Sequence, residues 1–244
     1  LIVLGGLSFV LNQLIKRSLN AVGGKGDPVD YLLLVTLVAL VLLGIIFSAL
    51  FFFMDSTTWT SALFFYMMTA VLGLGVFVPW LQYLIKRHPL FWLVEFLVQS
   101  KTRLYLLIFW TCLVLVACGV VLFQNSKRSK PQISTITRKY FHFLAVVVYV
   151  PGVMYDRSLL YVAAVVCLAV FVLLEYVRFF HIKPLGQTLR TLLTLFLDER
   201  DSGPLILSHI YLLLGMSLPV WLFPRLCATS LSGPSTLLPY CGIL

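Results

Sequence analysis

The chain has 244 residues, 61% of them hydrophobic and only 11% charged, with a mean hydropathy of +1.01. A soluble domain of this size cannot be so apolar, because too little polar surface remains to face water, and the long continuous runs do not alternate as β-barrel strands do. The net charge of +9 does not indicate nucleic-acid binding either, since the basic residues fall in short loops between apolar runs, where membrane proteins place them.

The pattern predicts an all-α, polytopic transmembrane helical bundle of about seven spans with short interfacial helices. In chain order the runs are Leu1–Ile15, Tyr31–Met54, Trp59–Leu84, Leu104–Phe123, Phe141–Tyr155, Leu159–Phe180 and Pro204–Phe223. Phe141–Tyr155 is too short to span unless its helix starts near Ser134, which carries Arg138 and Lys139 into the helix at the interface. Pro89–Val98 and Leu185–Leu197 are shorter still and read as helices lying in the interface. The polar stretch Lys127–Pro131 separates an N-terminal group of spans, residues 1–123, from a C-terminal group, residues 124–244. The chain begins with Leu inside one apolar run and ends inside another, as expected of an excerpt from a longer protein. The final Cys241-Gly-Ile-Leu reads as part of a cut membrane helix rather than a prenylation signal. Cys112, Cys118 and Cys167 lie within apolar runs, and no C-x-x-C spacing suggests a metal or disulfide framework.

Charge concentrates in two places. Arg138-Lys139-Tyr140-Phe141-His142 would set Arg138 and His142 on one helix face, four residues apart, where a guanidinium and an imidazole could meet phosphate and a transferring proton. The same residues also suit interfacial anchoring by Arg-Lys and an aromatic belt. Asp198-Glu199-Arg200-Asp201-Ser202-Gly203 gathers carboxylates able to hold Mg²⁺ ahead of a helix that Ser202 could cap, or it is a solvated loop. Alternation of spans puts both clusters on one membrane face, while the basic residues divide too evenly between the faces to orient the chain. Glu175 and Arg178, three apart, are expected to form a structural ion pair near the interface. Asp55 and Asp156 fall in tight turns that need no special function, and Gly73-Leu-Gly75, with no strand before it, is not a nucleotide loop.

Several segments resemble the dolichol kinase family, within the wider group of CTP-dependent polyprenol and phytol kinases. They are Ile136-Thr-Arg-Lys-Tyr-Phe-His142, Leu174-Glu-Tyr-Val-Arg178, Ile182-Lys-Pro-Leu-Gly186 and Leu197-Asp-Glu-Arg-Asp-Ser-Gly-Pro-Leu-Ile-Leu207. Gly5-Gly-Leu-Ser-Phe-Val-Leu-Asn-Gln-Leu-Ile-Lys-Arg17 and Gly26-Asp-Pro-Val-Asp30 extend the likeness over essentially the whole chain. The resemblance implies a multi-pass enzyme of the endoplasmic reticulum membrane. It would phosphorylate dolichol with CTP on the cytosolic side, giving the dolichyl phosphate that carries sugars for N-glycosylation. On that footing residues 124–244 are the N-terminal part of the catalytic membrane domain. Asp198 and Asp201 are assigned to Mg²⁺ or another divalent cation, and Arg138, Lys139, Arg200 and Ser202 to phosphate. His142 or one of the carboxylates would take the proton of the dolichol hydroxyl. Family members continue past the equivalent of Leu244 into a Gly-Asp-Thr loop and a Lys-Lys-Thr segment that bind CTP. Neither is in this sequence, so no CTP-loop residue is assigned and the excerpt alone is expected to be inactive. The alternatives are a lipid transporter or scramblase, whose polar helix breaks usually lie at mid-membrane rather than at one interface, and a non-catalytic scaffold. Nothing in the sequence sets an oligomeric state.

Overall fold

The computed structural model describes residues 27–53, 58–126, 135–194 and 208–222. Among them the chain is helical: α1 (Pro28–Phe53), α2 (Trp59–Leu72), a π-helical turn (Gly73–Phe77), α3 (Val78–Ile85), α4 (Pro89–Val98), α5 (Lys101–Ser126), α6 (Thr135–Tyr155), α7 (Arg157–Phe179), α8 (Leu185–Thr194) and α9 (Ser208–Leu222). Four stretches are long and apolar enough to cross a membrane: Pro28–Phe53, Trp59–Ile85, Lys101–Val120 and Arg157–Phe179. These match four of the seven expected spans. The apolar parts of α6 and α9, His142–Tyr155 and Ile210–Leu222, are shorter than a span, and Leu1–Ile15 lies outside the described residues.

Local chemistry explains the breaks. Pro79 has no N–H to donate and its ring crowds the carbonyl one turn back, so the Trp59–Ile85 stretch widens into the π-helical turn just ahead of it. Thr58 opens α2 by accepting from the Ser61 N–H. Asp156, the single residue between α6 and α7, opens α7 by accepting from the Leu159 N–H at 2.9 Å. The α7 end closes with Ile182 N–H donating to Val177 O, and the chain then passes Gly186 so closely that a Cβ there would lie 2.7 Å from the His181 carbonyl carbon.

α7 is the hub. Its buried residues Leu159, Tyr161, Ala164, Val165 and Leu168 share one core with Tyr149 of α6 and Leu213 and Trp221 of α9. Val177 belongs to a second core with Phe47 of α1 and Phe65 of α2. α1 runs parallel to α7: Tyr161 Oη donates to Asp30 Oδ1 at 2.9 Å near the starts of both helices, and Tyr176 Oη donates to Leu40 O at 3.1 Å further along. Where lipid replaces water, helices associate through close packing and polar contacts, and glycines allow the close packing here. Gly44 faces the Tyr176 ring, and Gly152 sits against Leu160 and Trp110. Large apolar side chains such as Phe53, Leu74, Leu90, Phe91 and Leu115 remain exposed on the outside, as lipid contact requires.

Candidate functional site

α6 begins at Thr135, one residue from the expected start, so Arg138 and Lys139 are helical and precede the apolar stretch that starts at His142. Arg138 and His142 thus share a helix face by backbone position, and the His142 side chain is exposed.

Three contacts fix how this helix end stands against its neighbours. Gly152 of α6 lies beside Leu160 of α7, and the two helices run antiparallel from the Asp156 joint. Counting away from that contact at 1.5 Å per residue, Arg138 and Glu175 each lie about 21–22 Å along their helices, at one level. Tyr149 Oη and Ser217 Oγ share a buried hydrogen bond that ties α6 to α9. Because α6 and α9 both run antiparallel to α7, they are parallel to each other, with His142 and Ile210 each about 10 Å along from this contact. The Trp221 and Tyr161 rings, with centroids 6.4 Å apart, hold the far end of α9 against α7, so Ser208 comes level with Leu174 about 20 Å along. The start of α6, the end of α7 and the start of α9 therefore lie level at one pole of the bundle, the His142 pole. Asp198, Arg200, Asp201 and Ser202 lie outside the described residues, in the segment between α8 and α9. Both flanking helices border the His142 pole: α8 follows the end of α7, and α9 starts there.

At this pole Arg178 grips Glu175 with two nitrogens, Nε donating to Oε2 at 2.8 Å and Nη2 to Oε1, and both residues are buried, at 7% and 8% exposure. The expected pair is formed. Its depth was not legible, because i,i+3 spacing predicts pairing but not the face on which the pair sits. Among the described residues no group of three or more His, Cys, Asp or Glu forms a metal site. The carboxylates assigned to Mg²⁺, Asp198 and Asp201, are hard oxygen donors of the kind that ion takes, so their chemistry fits it.

The opposite pole is built differently. Arg103 Nε donates to Asp156 Oδ2 at 2.7 Å, its Nη1 donates to Phe96 O at 2.6 Å, and its guanidinium lies over the Phe96 ring. Beside it is a cavity of about 770 Å³ with Asp27, Asp30, Arg157 and Tyr161 among its polar groups and Trp92, Tyr149 and Met216 on its walls. A second, almost wholly apolar cavity of about 370 Å³ runs between α1, the π-helical turn, α3, α4 and α7. The Arg103–Asp156 joint was missed in sequence, since its partners are 53 residues apart and each alone reads as a loop charge. Gly73 and Gly75 fall in the π-helical turn inside an apolar stretch, in keeping with their exclusion as a nucleotide loop. Asp55 lies outside the described residues.

Comparison with known proteins gives a consistent result along the whole chain. A family model described as dolichol kinase matches residues 1–213. Dolichol kinase of Bos taurus is 65% identical over 251 aligned residues, covering 100% of this chain and 47% of that protein. Dolichol kinase of Homo sapiens is 64% identical with the same coverage, and dolichol kinase EVAN of Arabidopsis thaliana is 36% identical over 186 residues, covering 75% of this chain and 30% of its own length. The chain spans about half the length of the mammalian relatives it matches. No solved structure matches.

Proposed function

The chain belongs to the dolichol kinase family, and from that premise we propose that it supplies the membrane-embedded part of an enzyme that transfers the γ-phosphoryl group of CTP to the terminal hydroxyl of dolichol. The bond from the γ-phosphorus to its bridging oxygen breaks, CDP leaves, and a new bond joins phosphorus to the dolichol oxygen. The hydroxyl proton passes to His142 or to a carboxylate of the Asp198–Asp201 segment. Such transfer needs positioning and charge neutralisation more than covalent help from the protein. Arg138, Lys139, Arg200 and Ser202 are assigned to the phosphates. Asp198 and Asp201 would hold Mg²⁺ or another divalent cation, which neutralises phosphate charge when bound.

The observation that carries this reading is the register set by the Tyr149–Ser217 hydrogen bond, which brings the starts of α6 and α9 level at one pole. This supports a reading in which Arg138–His142 and the charged segment ahead of α9 would border a common site at the membrane surface, where a lipid hydroxyl and a water-soluble nucleotide can meet. The apolar cavity beside the π-helical turn offers volume for part of a polyprenyl tail. Residues 1–123 act in this reading as a membrane scaffold, and 124–244 begin the catalytic region. We place the enzyme in the endoplasmic reticulum membrane with the His142 pole cytosolic. We further infer that residues 1–244 alone do not turn over, since the relatives are about twice as long. The test is full-length enzyme carrying Arg138→Ala or Asp201→Asn, assayed for CTP-dependent dolichyl phosphate formation. Turnover falling by about 100-fold or more in each fits loss of a charge contact made in the transition state, and near-normal turnover in both sinks the assignment.

A further inference from the structure

The buried Glu175–Arg178 pair is hard to explain by stability. Taking two charges out of water costs more than their attraction usually returns, so apolar side chains of similar volume are often as good or better at such a position. Ionisable residues within membrane helices are rare for the same reason and tend to mark function. Here the pair is bidentate and both members are more than nine-tenths buried.

Its placement is specific. Ala164, Leu168, Phe171, Glu175 and Arg178 follow one another at spacings of four, three, four and three, a single stripe along α7. The lower part of that stripe packs in the core shared with Tyr149 of α6 and Leu213 and Trp221 of α9. The other side of α7, with Tyr176 and Val177, faces α1 and α2 instead. Glu175 and Arg178 therefore top the α6–α7–α9 junction, at the level where Arg138 and Ser208 arrive. The charge is at the pole where α6 starts and α9 starts, and on the side of α7 that its α6–α9 stripe occupies.

We propose that Glu175 and Arg178 are positioning residues for phosphoryl transfer. Glu175 locks the guanidinium of Arg178, and the rigid pair fixes the α6–α7–α9 junction and with it the start of α6, which carries the residues assigned to phosphate. This rests on the proposed kinase reading, and it extends that reading to two residues deeper in the bundle.

The experiment uses full-length enzyme in detergent with CTP–Mg²⁺ and a short-chain polyprenol, and measures kcat, both KM values and thermal stability. The variants are the double apolar replacement Glu175→Leu with Arg178→Met, the charge swap Glu175→Arg with Arg178→Glu, and the mild change Arg178→Lys, which keeps the charge but loses the fork. The expected result is a folded double apolar variant whose kcat/KM falls by about tenfold or more, seen in kcat and in KM for CTP rather than in KM for polyprenol. The charge swap should retain folded protein without restoring kcat, and Arg178→Lys should lie between it and wild type. Activity within about twofold of wild type in the folded double apolar variant overturns the proposal, since that separation is too small for a positioning residue. So does activity that falls only in step with folded protein across all three variants, because that assigns the pair to structure alone. Wild-type enzyme that forms no dolichyl phosphate from CTP would instead remove the kinase reading itself, whatever the variants do.

Discussion

Replacing Asp156 with Ala tests whether the joint between α6 and α7 is held as the structure indicates. Asp156 does two things at once: Oδ1 accepts from the Leu159 N–H at the start of α7, and Oδ2 accepts from Arg103 Nε at 2.7 Å. Losing the cap costs about 1 kcal/mol. Removing one partner of a buried ion pair costs about 3–5 kcal/mol. The side chains here are 16% and 14% exposed, and Arg103 keeps both the Phe96 carbonyl and the Phe96 ring. Roughly half of that penalty, about 2 kcal/mol, therefore remains, and Asp156→Ala is expected to cost about 3 kcal/mol in all. Asp156→Asn keeps an acceptor for Leu159 and loses only the charge, so it should cost about 2 kcal/mol. Thermal unfolding of the full-length protein in a fixed detergent, with Arg103→Met completing a double-mutant cycle, measures each part. Asp156→Ala within about 0.5 kcal/mol of wild type would refute the reasoning, as that is the scatter expected of an inert surface change. Equal losses for Ala and Asn would remove the cap from the account.

Two other predictions concern the contacts that set helix register. Tyr149→Phe or Ser217→Ala alone leaves one buried hydroxyl without its partner and should cost about 1–3 kcal/mol, while the double change should cost clearly less than the sum, as read by the same unfolding assay. Gly44→Ala would bring a Cβ within 2.5 Å of Tyr176 Oη and 3.2 Å of its ring carbon Cζ, displacing the hydroxyl from Leu40 O. Its destabilisation of about 1–3 kcal/mol should be largely relieved by adding Tyr176→Phe, which removes the clashing oxygen; no relief would place the strain elsewhere.

Much of the helix layout was legible because apolar run length is a direct consequence of bilayer thickness. Tyr31–Met54 and Leu159–Phe180 were read within a few residues of α1 and α7, and the need for α6 to start near Ser134 followed from the shortness of its apolar part. What could not be read was which face each helix turns inward. Helices bathed in lipid carry apolar residues all round, so the sequence has little amphipathic contrast to mark the buried side. That is why Glu175 and Arg178 could be paired but not placed. Long-range polar contacts were hidden for another reason: Tyr149 and Ser217 each sit alone in an apolar run and acquire meaning only when α6 and α9 lie side by side. The π-helical turn was missed within the Trp59–Leu84 run, although Pro79 supplied its cause.

The central claim is that the His142 pole serves phosphoryl transfer to a lipid alcohol. The most direct measurement supplies full-length enzyme and dolichol with CTP labelled either at the γ- or at the α-phosphate. The account predicts that label from the γ-position appears in dolichyl phosphate, that none does from the α-position, and that Arg138→Ala abolishes the transfer. Label passing from the α-phosphate into the lipid, or no lipid labelling from either position, would contradict it.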